Sequence, residues 1–347
     1  MPRFNRKDQH ILIGLKQKRG LADFSDIHFI HNCLPERDLN EVNLKTRLHG
    51  VDLGSPFFIN ALTGGTPLAG RINAALALAA RECNLPMALG SQAIALENPA
   101  AVNSFRIVRK INPKGILWAN LGSYATLEMA RRAVEMIDAA ALQIHLNVPQ
   151  ELAMKEGDRC FRGALERIGR IAGALSKPVV VKEVGFGIAR EQALLLLEAG
   201  VAAIDVGGRG GTNFLALENR RSRRILSREI LSWGIPTAIS LIEVLDAVKG
   251  EAGVIAGGGM CSSYNIARAL ALGADAVGLA GYPLQLILRK GPRALIRAIG
   301  KLEEELRLLM LMTGSSSLPE LRRVPLVITG FTREWMESRQ IKLPESR

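Results

Sequence analysis

Short apolar runs recur along most of this chain, each followed by a stretch with helical spacing, and that alternation restricts the fold more than any other feature. The runs occupy residues 57–61, 87–90, 116–120, 142–146, 179–184, 203–206, 237–240, 254–256 and 276–280. Amphipathic segments such as 125–138 and 188–198 lie between them. Strand-like runs that alternate with helical patterns call for βα units around a parallel sheet. The run at 237–240 is the weakest, because it follows Pro236 and leads straight into 241–248 at helical spacing. Proline suits a first helical turn, so this run is assigned to a helix start. Eight strands remain. The expected fold class is α/β, a (β/α)8 TIM barrel with an N-terminal arm and a C-terminal helical extension. The 347 residues exceed the ~250 of a minimal barrel and leave room for both additions.

Residues 1–55 lack the alternation and are densely charged, which reads as an arm or lid. The barrel is expected over 56–290. Residues 291–347 belong to the same domain, with a long amphipathic helix at 294–312, then Leu326-Val327-Ile328 and a polar end. The formal net charge is +12. The basic residues are scattered, and the densest cluster, 220–224, has no base-stacking aromatics beside it. Small anions are therefore the expected partners, not nucleic acid. No C-x-x-C pairs the cysteines, which read as reduced cytosolic thiols. The start of the chain is polar, and no apolar run approaches the ~20 residues of a membrane span. A soluble, cytoplasmic protein without a membrane partner is expected.

In a barrel the site forms where strands end and loops begin. Four strand ends here are rich in glycine and polar residues: Asn60-Ala61-Leu62-Thr63-Gly64-Gly65, the stretch 205–213, Gly257-Gly258-Gly259 and Ala280-Gly281. Glycine lets backbone N–H groups approach an anion. Glycine after the last two strands is where phosphate-binding barrels hold their phosphate. Lys182 ends the apolar run Val179-Val180-Val181, where an uncompensated ammonium is costly. Successive strand residues face opposite ways, so Lys182 and Glu183 do not both point inward. An inward Lys182 suits the negative charge of a reduced flavin. In Gln143-Ile144-His145-Leu146-Asn147 the polar residues share one face, with Gln150 and Glu151 just beyond. Glu151 supplies a hard oxygen of the kind Mg²⁺ takes. Arg6, Lys7 and His10 would meet the most negative part of a ligand if the arm folds over the mouth.

Together with Gly90-Ser91-Gln92, Ala119-Asn120-Leu121-Gly122, Glu156-Gly157-Asp158-Arg159, residues 181–187 and Trp233-Gly234, these strings resemble the type 2 isopentenyl diphosphate isomerases over nearly the whole chain. The resemblance implies an FMN-dependent (β/α)8 barrel that uses reduced flavin and Mg²⁺, with NADPH as reductant, and a homo-oligomer, tetramer or octamer. It implies FMN contacts from Thr63, Gly64, Gly65, Ser91, Asn120, Lys182 and Thr212, and a phosphate site at Gly258, Gly259, Ala280 and Gly281. Arg6, Lys7, His10, Ser91 and Gln150 would address an allylic diphosphate, and Glu151 its Mg²⁺. Three departures stand out. Leu62 replaces a usual Met, Ala93 and Ile94 stand where polar or Met residues are common, and Gly257 replaces a usual Ser. The last change is expected to remove one hydroxyl donor to the phosphate.

The reaction so implied is a 1,3-proton shift without net oxidation, which converts isopentenyl diphosphate into dimethylallyl diphosphate. Of the titratable groups near the site, only His145 has no metal, diphosphate or flavin role. One group does not readily serve as both acid and base on separate carbons. The expectation is that reduced FMN moves the proton, with Gln150 orienting the substrate. The competing reading is an FMN-dependent α-hydroxy-acid oxidase. That chemistry needs a histidine near the late strands beside carboxylate-clamping arginines, and His145 is the last histidine in the chain.

Overall fold

A computed structural model describes residues 3–16, 21–222 and 225–342; Arg223 and Arg224 of the basic cluster lie outside these, as do residues 1 and 2 and the polar end from 343. Eight parallel strands close into a barrel. They are β1 (Phe57–Ile59), β2 (Met87–Ala88), β3 (Leu117–Gly122), β4 (Ala141–Leu146), β5 (Val179–Glu183), β6 (Ala203–Asp205), β7 (Gly253–Gly257) and β8 (Ala276–Leu279). Each apolar run assigned to a strand forms one. Residues 237–240 open the helix Thr237–Val248, as the proline before them requires.

Strand alternation sorts the side chains into two environments. Phe57, Ile59, Leu142, Ile144, Val181 and Ile204 face outward and join the core beneath the helices. Phe58, Trp118, Ala141, Val180, Ala203, Ile255 and Ala276 face inward and fill the lower barrel. Phe58 and Trp118 pack there with ring centroids 4.8 Å apart. Two residues further along the same faces stand Asn60, Asn120, Gln143, Lys182, Asp205, Gly257 and Gly278. The barrel interior therefore has an apolar lower layer and a polar upper layer.

Residues before 55 serve both ends of the barrel. The hairpin of Thr46–Leu48 and Val51–Leu53 sends Leu48 and Leu53 into the apolar lower layer, so it plugs the end away from the strand C-termini. The helix α1 (Arg3–Lys16) lies at the opposite end, with Ile11 buried. Between them, Ile27–Phe29 pairs antiparallel with Leu326–Ile328 of the C-terminal extension.

That extension begins with the helix Pro292–Met312 and closes with Gly330–Ser338. Glu243, fully buried on the helix Thr237–Val248, anchors the last helix. Its Oε1 accepts from Trp335 Nε1 and from Arg339 Nε, both at 2.8 Å, and its Oε2 from the Arg190 N–H at 2.9 Å. Glu243→Ala strands these donors. It is expected to lower stability by about 3 kcal/mol in urea unfolding, the scale for breaking a buried charged pair.

Candidate active site

The C-terminal ends of the strands surround a cavity of about 460 Å³, within the range of small-molecule sites. Its wall includes Thr63, Ser91, Asn120, His145, Gln150, Glu151, Lys182, Thr212, Gly258, Gly259, Ala280 and Gly281. Arg6, Lys7 and His10 line it from α1. Gly64 and Gly65 do not line it. A Cβ on Gly64 would collide with the Phe105 ring, and one on Gly65 would lie 2.5 Å from Ile94 Cγ2. These two glycines permit close packing behind the wall.

The floor is the polar upper layer. Lys182 is buried, and its Nζ donates to the Glu183 backbone oxygen at 2.7 Å. The Glu183 carboxylate turns the other way and accepts from the N–H groups of Val184, Gly185 and Phe186 at 2.6–2.8 Å. The two side chains diverge, as strand alternation demands. Burial pushes the Glu183 carboxyl up to about 7, against those amides and the Lys182 charge. His145 stands beside Lys182 in the β4–β5 register. Burial, and then the charges of Lys182 and Lys7, press its imidazole down to about 3, so the ring is neutral at ordinary pH.

The far wall is a glycine cradle built by the loops after β6 and β7. Gly258 and Gly259 have φ of +104° and +76°, and Cβ atoms there would collide with the backbone oxygens of Gly208 and Gly210. A Cβ on Gly211 would sit 2.8 Å from the Gly259 nitrogen. Backbone thus packs on backbone, and only glycine fits. The helices Ser263–Leu272 and Gly281–Lys290 begin beside this cradle. Their first-turn N–H groups have no partners within the helix, which suits a phosphate. Gly257 behaves differently from the sequence expectation. Its Cβ direction points at Asp205 Oδ1 inside the barrel. A serine there would face the buried layer, so the glycine removes no donor from the cradle.

The near wall is the arm and the loop after β4. Asp8 Oδ1 accepts from Thr66 Oγ1 at 2.6 Å, and Lys7 Nζ donates to the Ser91 backbone oxygen at 2.9 Å. His10 Nε2 lies 2.6 Å from Glu218 Oε1, and Arg6 lies 3.9 Å from Glu156. Arg221 joins both carboxylates at 2.6 Å. Glu156 stands out in the sequence only within a matching string, and Glu218 and Arg221 do not stand out as site residues. The i,i+3 pairing of the latter two is ordinary for a helix, and the contacts to Arg6, His10 and Glu156 that make them part of the wall span long stretches of chain. Glu151 Oε1 accepts from Asn147 Nδ2 at 2.8 Å and its Oε2 from the Asp158 N–H at 3.0 Å. Arg159 fastens this loop by donating to the Glu151 and Met154 carbonyls. Among the described residues no cluster of three or more His, Cys, Asp or Glu forms a metal cage. A lone carboxylate such as Glu151 would hold Mg²⁺ only together with oxygens of a phosphate-bearing ligand, the usual manner for that ion. The two histidines of the cavity, His10 and His145, come from α1 and β4. Neither stands at the late strands where the oxidase reading requires one.

The FMN-dependent dehydrogenase family matches residues 103–327. The isopentenyl-diphosphate delta-isomerase of a Geobacillus species is 47% identical over 341 residues, covering 98% of this chain and 97% of its own. The protein of the same name from Moorella thermoacetica is 46% identical and covers 97% of each chain. Among solved structures, mandelate oxidase with (S)-4-hydroxymandelic acid aligns over 92% of this chain and 94% of its own, with a TM-score of 0.63 at 19% identity. That similarity concerns the fold alone. With near-full coverage at this level of identity, and a flavin-enzyme family across most of the barrel, the chain belongs to the flavin-dependent, type 2 isopentenyl-diphosphate delta-isomerase family.

Proposed function

We propose that this protein interconverts isopentenyl diphosphate and dimethylallyl diphosphate, with FMN held over the polar floor and Mg²⁺ on the substrate diphosphate. The observation that carries the reading is one cavity with a glycine cradle at one end and a cationic arm at the other. Each end suits a phosphate group, one belonging to a cofactor and one to a substrate.

The cradle of Gly258, Gly259 and Gly281, with Thr212, would take the FMN phosphate. Lys182 would supply positive charge to the flavin, and Thr63, Ser91 and Asn120 would contribute hydrogen-bonding groups to its binding. Bound FMN, reduced by NADPH, would supply an electron-rich ring and acid–base chemistry for the 1,3-proton shift. Arg6, Lys7 and His10 would bind the diphosphate, and Glu151 would contribute to holding its Mg²⁺. Gln150, beside Glu151, would orient the allylic chain. His145 is neutral at pH 7 and offers hydrogen bonding without competing charge. Ile94, Met154 and Leu284 add apolar wall for a hydrocarbon and keep water from it.

A substrate panel tests the reading. With reduced FMN and Mg²⁺, isopentenyl diphosphate is expected to give the methyl resonances of dimethylallyl diphosphate in proton NMR, while mandelate and lactate are left unoxidised. Oxidation of either hydroxy acid without isomerisation would replace this reading with the oxidase one. The arm carries a separate expectation. The double change Arg6→Ala and Lys7→Ala removes two charge-assisted contacts of about 1.5–3 kcal/mol each. It is expected to raise KM for the diphosphate at least roughly tenfold and leave FMN retention unchanged. An unchanged KM would make the arm a bystander.

A further inference from the structure

The polar layer under the cavity consists of groups that cost stability unless bonded. Asn60, Asn120, Gln143 and Asp205 are each no more than 4% exposed, and each is joined to the next. Asn60 Nδ2 donates to Asp205 Oδ2 at 2.6 Å, and Gln143 Nε2 donates to Asn60 Oδ1 at 3.2 Å. Asn120 Nδ2 donates to Gln143 Oε1 at 3.3 Å, and Asn120 Oδ1 meets His145 Nδ1 at 2.9 Å. Two glycines leave room for this chain. A Cβ on Gly257 would collide with Asp205 Oδ1, and one on Gly278 would lie 2.5 Å from Asn60 Nδ2.

We infer that Asp205 is a positioning residue that, through Asn60, Gln143 and Asn120, holds His145 with its proton on Nδ1 and a bare Nε2. Donors and acceptors set the orientation of each group in turn. A carboxylate only accepts, so the amide facing it must present its NH₂. Asn60 then offers its carbonyl to Gln143, and the same constraint passes to Asn120 and on to His145. Burial raises the Asp205 carboxyl above its usual range, while the Lys182 charge, the Asn60 amide and the Gly207 N–H favour the anion. Lys182 is the neighbour of Asp205 in the β5–β6 register, which keeps that counter-charge close. The bare Nε2 stands near Gly122 at the cavity edge, 3.4 Å from where a Cβ on that glycine would lie. It accepts a hydrogen bond from a group bound in the cavity, and that step rests on the function proposed above.

The test uses the full-length protein labelled with ¹⁵N-histidine, with and without FMN. The His145 ring signals are identified by their loss in His145→Gln. Wild type is expected to show a protonated Nδ1 and a bare Nε2. Asp205→Asn leaves one oxygen where the Asn60 amide and the Gly207 N–H each used one. The new NH₂ then faces the Asn60 NH₂, while the Ala61 N–H, which donates to Asn60 Oδ1 at 2.8 Å, opposes turning that amide over. The single Nδ1 tautomer is therefore expected to give way to a mixture with the proton partly on Nε2. Gln143→Met cuts the chain while Asp205 and Lys182 remain, and both tautomers are expected. If Gln143→Met keeps the wild-type pattern, or wild type carries its proton on Nε2, the inference is overturned. Should Asp205→Asn fail to fold once the Lys182 counter-charge is gone, Gln143→Met decides alone. In steady state, kcat for isopentenyl diphosphate is expected to fall about tenfold or more in the folded variants while KM holds. A raised KM with unchanged kcat would also overturn the positioning role. If wild type shows the Nδ1 proton but does not isomerise, the proposed function fails and the hydrogen-bond chain stands.

Discussion

Gly259→Ala is expected to abolish retention of FMN: after incubation with the flavin and passage over a desalting column, wild type should emerge yellow and the variant colourless. The reason is steric and lies in the backbone. Gly259 has φ of +76°, which alone costs a non-glycine residue of order 1–3 kcal/mol. The added Cβ would also collide with the Gly210 carbonyl and come within 2.5 Å of the Ala22 nitrogen. Neither neighbour is a flexible side chain that can swing aside. Ala22 is itself tied here, with its N–H donating to the Gly259 oxygen at 3.1 Å. The loops after β6 and β7 must separate, and the donors they aim at a phosphate separate with them. Gly300→Ala is the control. That glycine lies in the helix Pro292–Met312 with nothing within 4 Å of an added Cβ, and alanine there is expected to leave FMN retention intact. If Gly259→Ala keeps its flavin, the cradle is not the phosphate site.

Glu151→Gln is expected to lower turnover by roughly 100-fold or more at low Mg²⁺, the scale on which a metal stabilises developing charge. Glutamine keeps the shape and one oxygen for Asn147 or Asp158, so the loop fastened by Arg159 should persist. What goes is the negative charge proposed to draw Mg²⁺ to the substrate's diphosphate. Excess Mg²⁺ should restore part of the rate, and FMN retention should be unaffected. Wild-type activity at low Mg²⁺ would show that the metal is held elsewhere.

The barrel was legible because parallel strands buried on both faces leave nearly continuous apolar runs, and Pro236 marked the one run that was not a strand. The floor was legible only where strands are long. In β4, alternation over Gln143, His145 and Asn147 declared an inward polar face, and Lys182 stood out against three valines. β1 and β6 span only three residues each. Asn60, just past β1, and Asp205, the last residue of β6, therefore looked like the openings of glycine-rich loops, although both face the interior. Gly257 was hidden for another reason: the apolar run stops at Ala256, and the inward direction of Gly257 follows only once β7 is known to run through it. The arm residues were found, but their partners Glu156 and Glu218 were not. Those contacts are set by how α1 lies across the mouth, which local sequence does not encode.

Under the proposed function, this flavoprotein isomerises isopentenyl diphosphate without consuming reducing equivalents. The direct measurement is anaerobic incubation of the FMN-loaded protein, photoreduced once, with Mg²⁺ and excess isopentenyl diphosphate, followed by proton NMR and the visible spectrum together. The expected result is many molecules of dimethylallyl diphosphate per flavin, a spectrum still reduced at the end, and no conversion by the oxidised enzyme. Product limited to one equivalent as the flavin reoxidises, or no product from the reduced enzyme, would contradict the account.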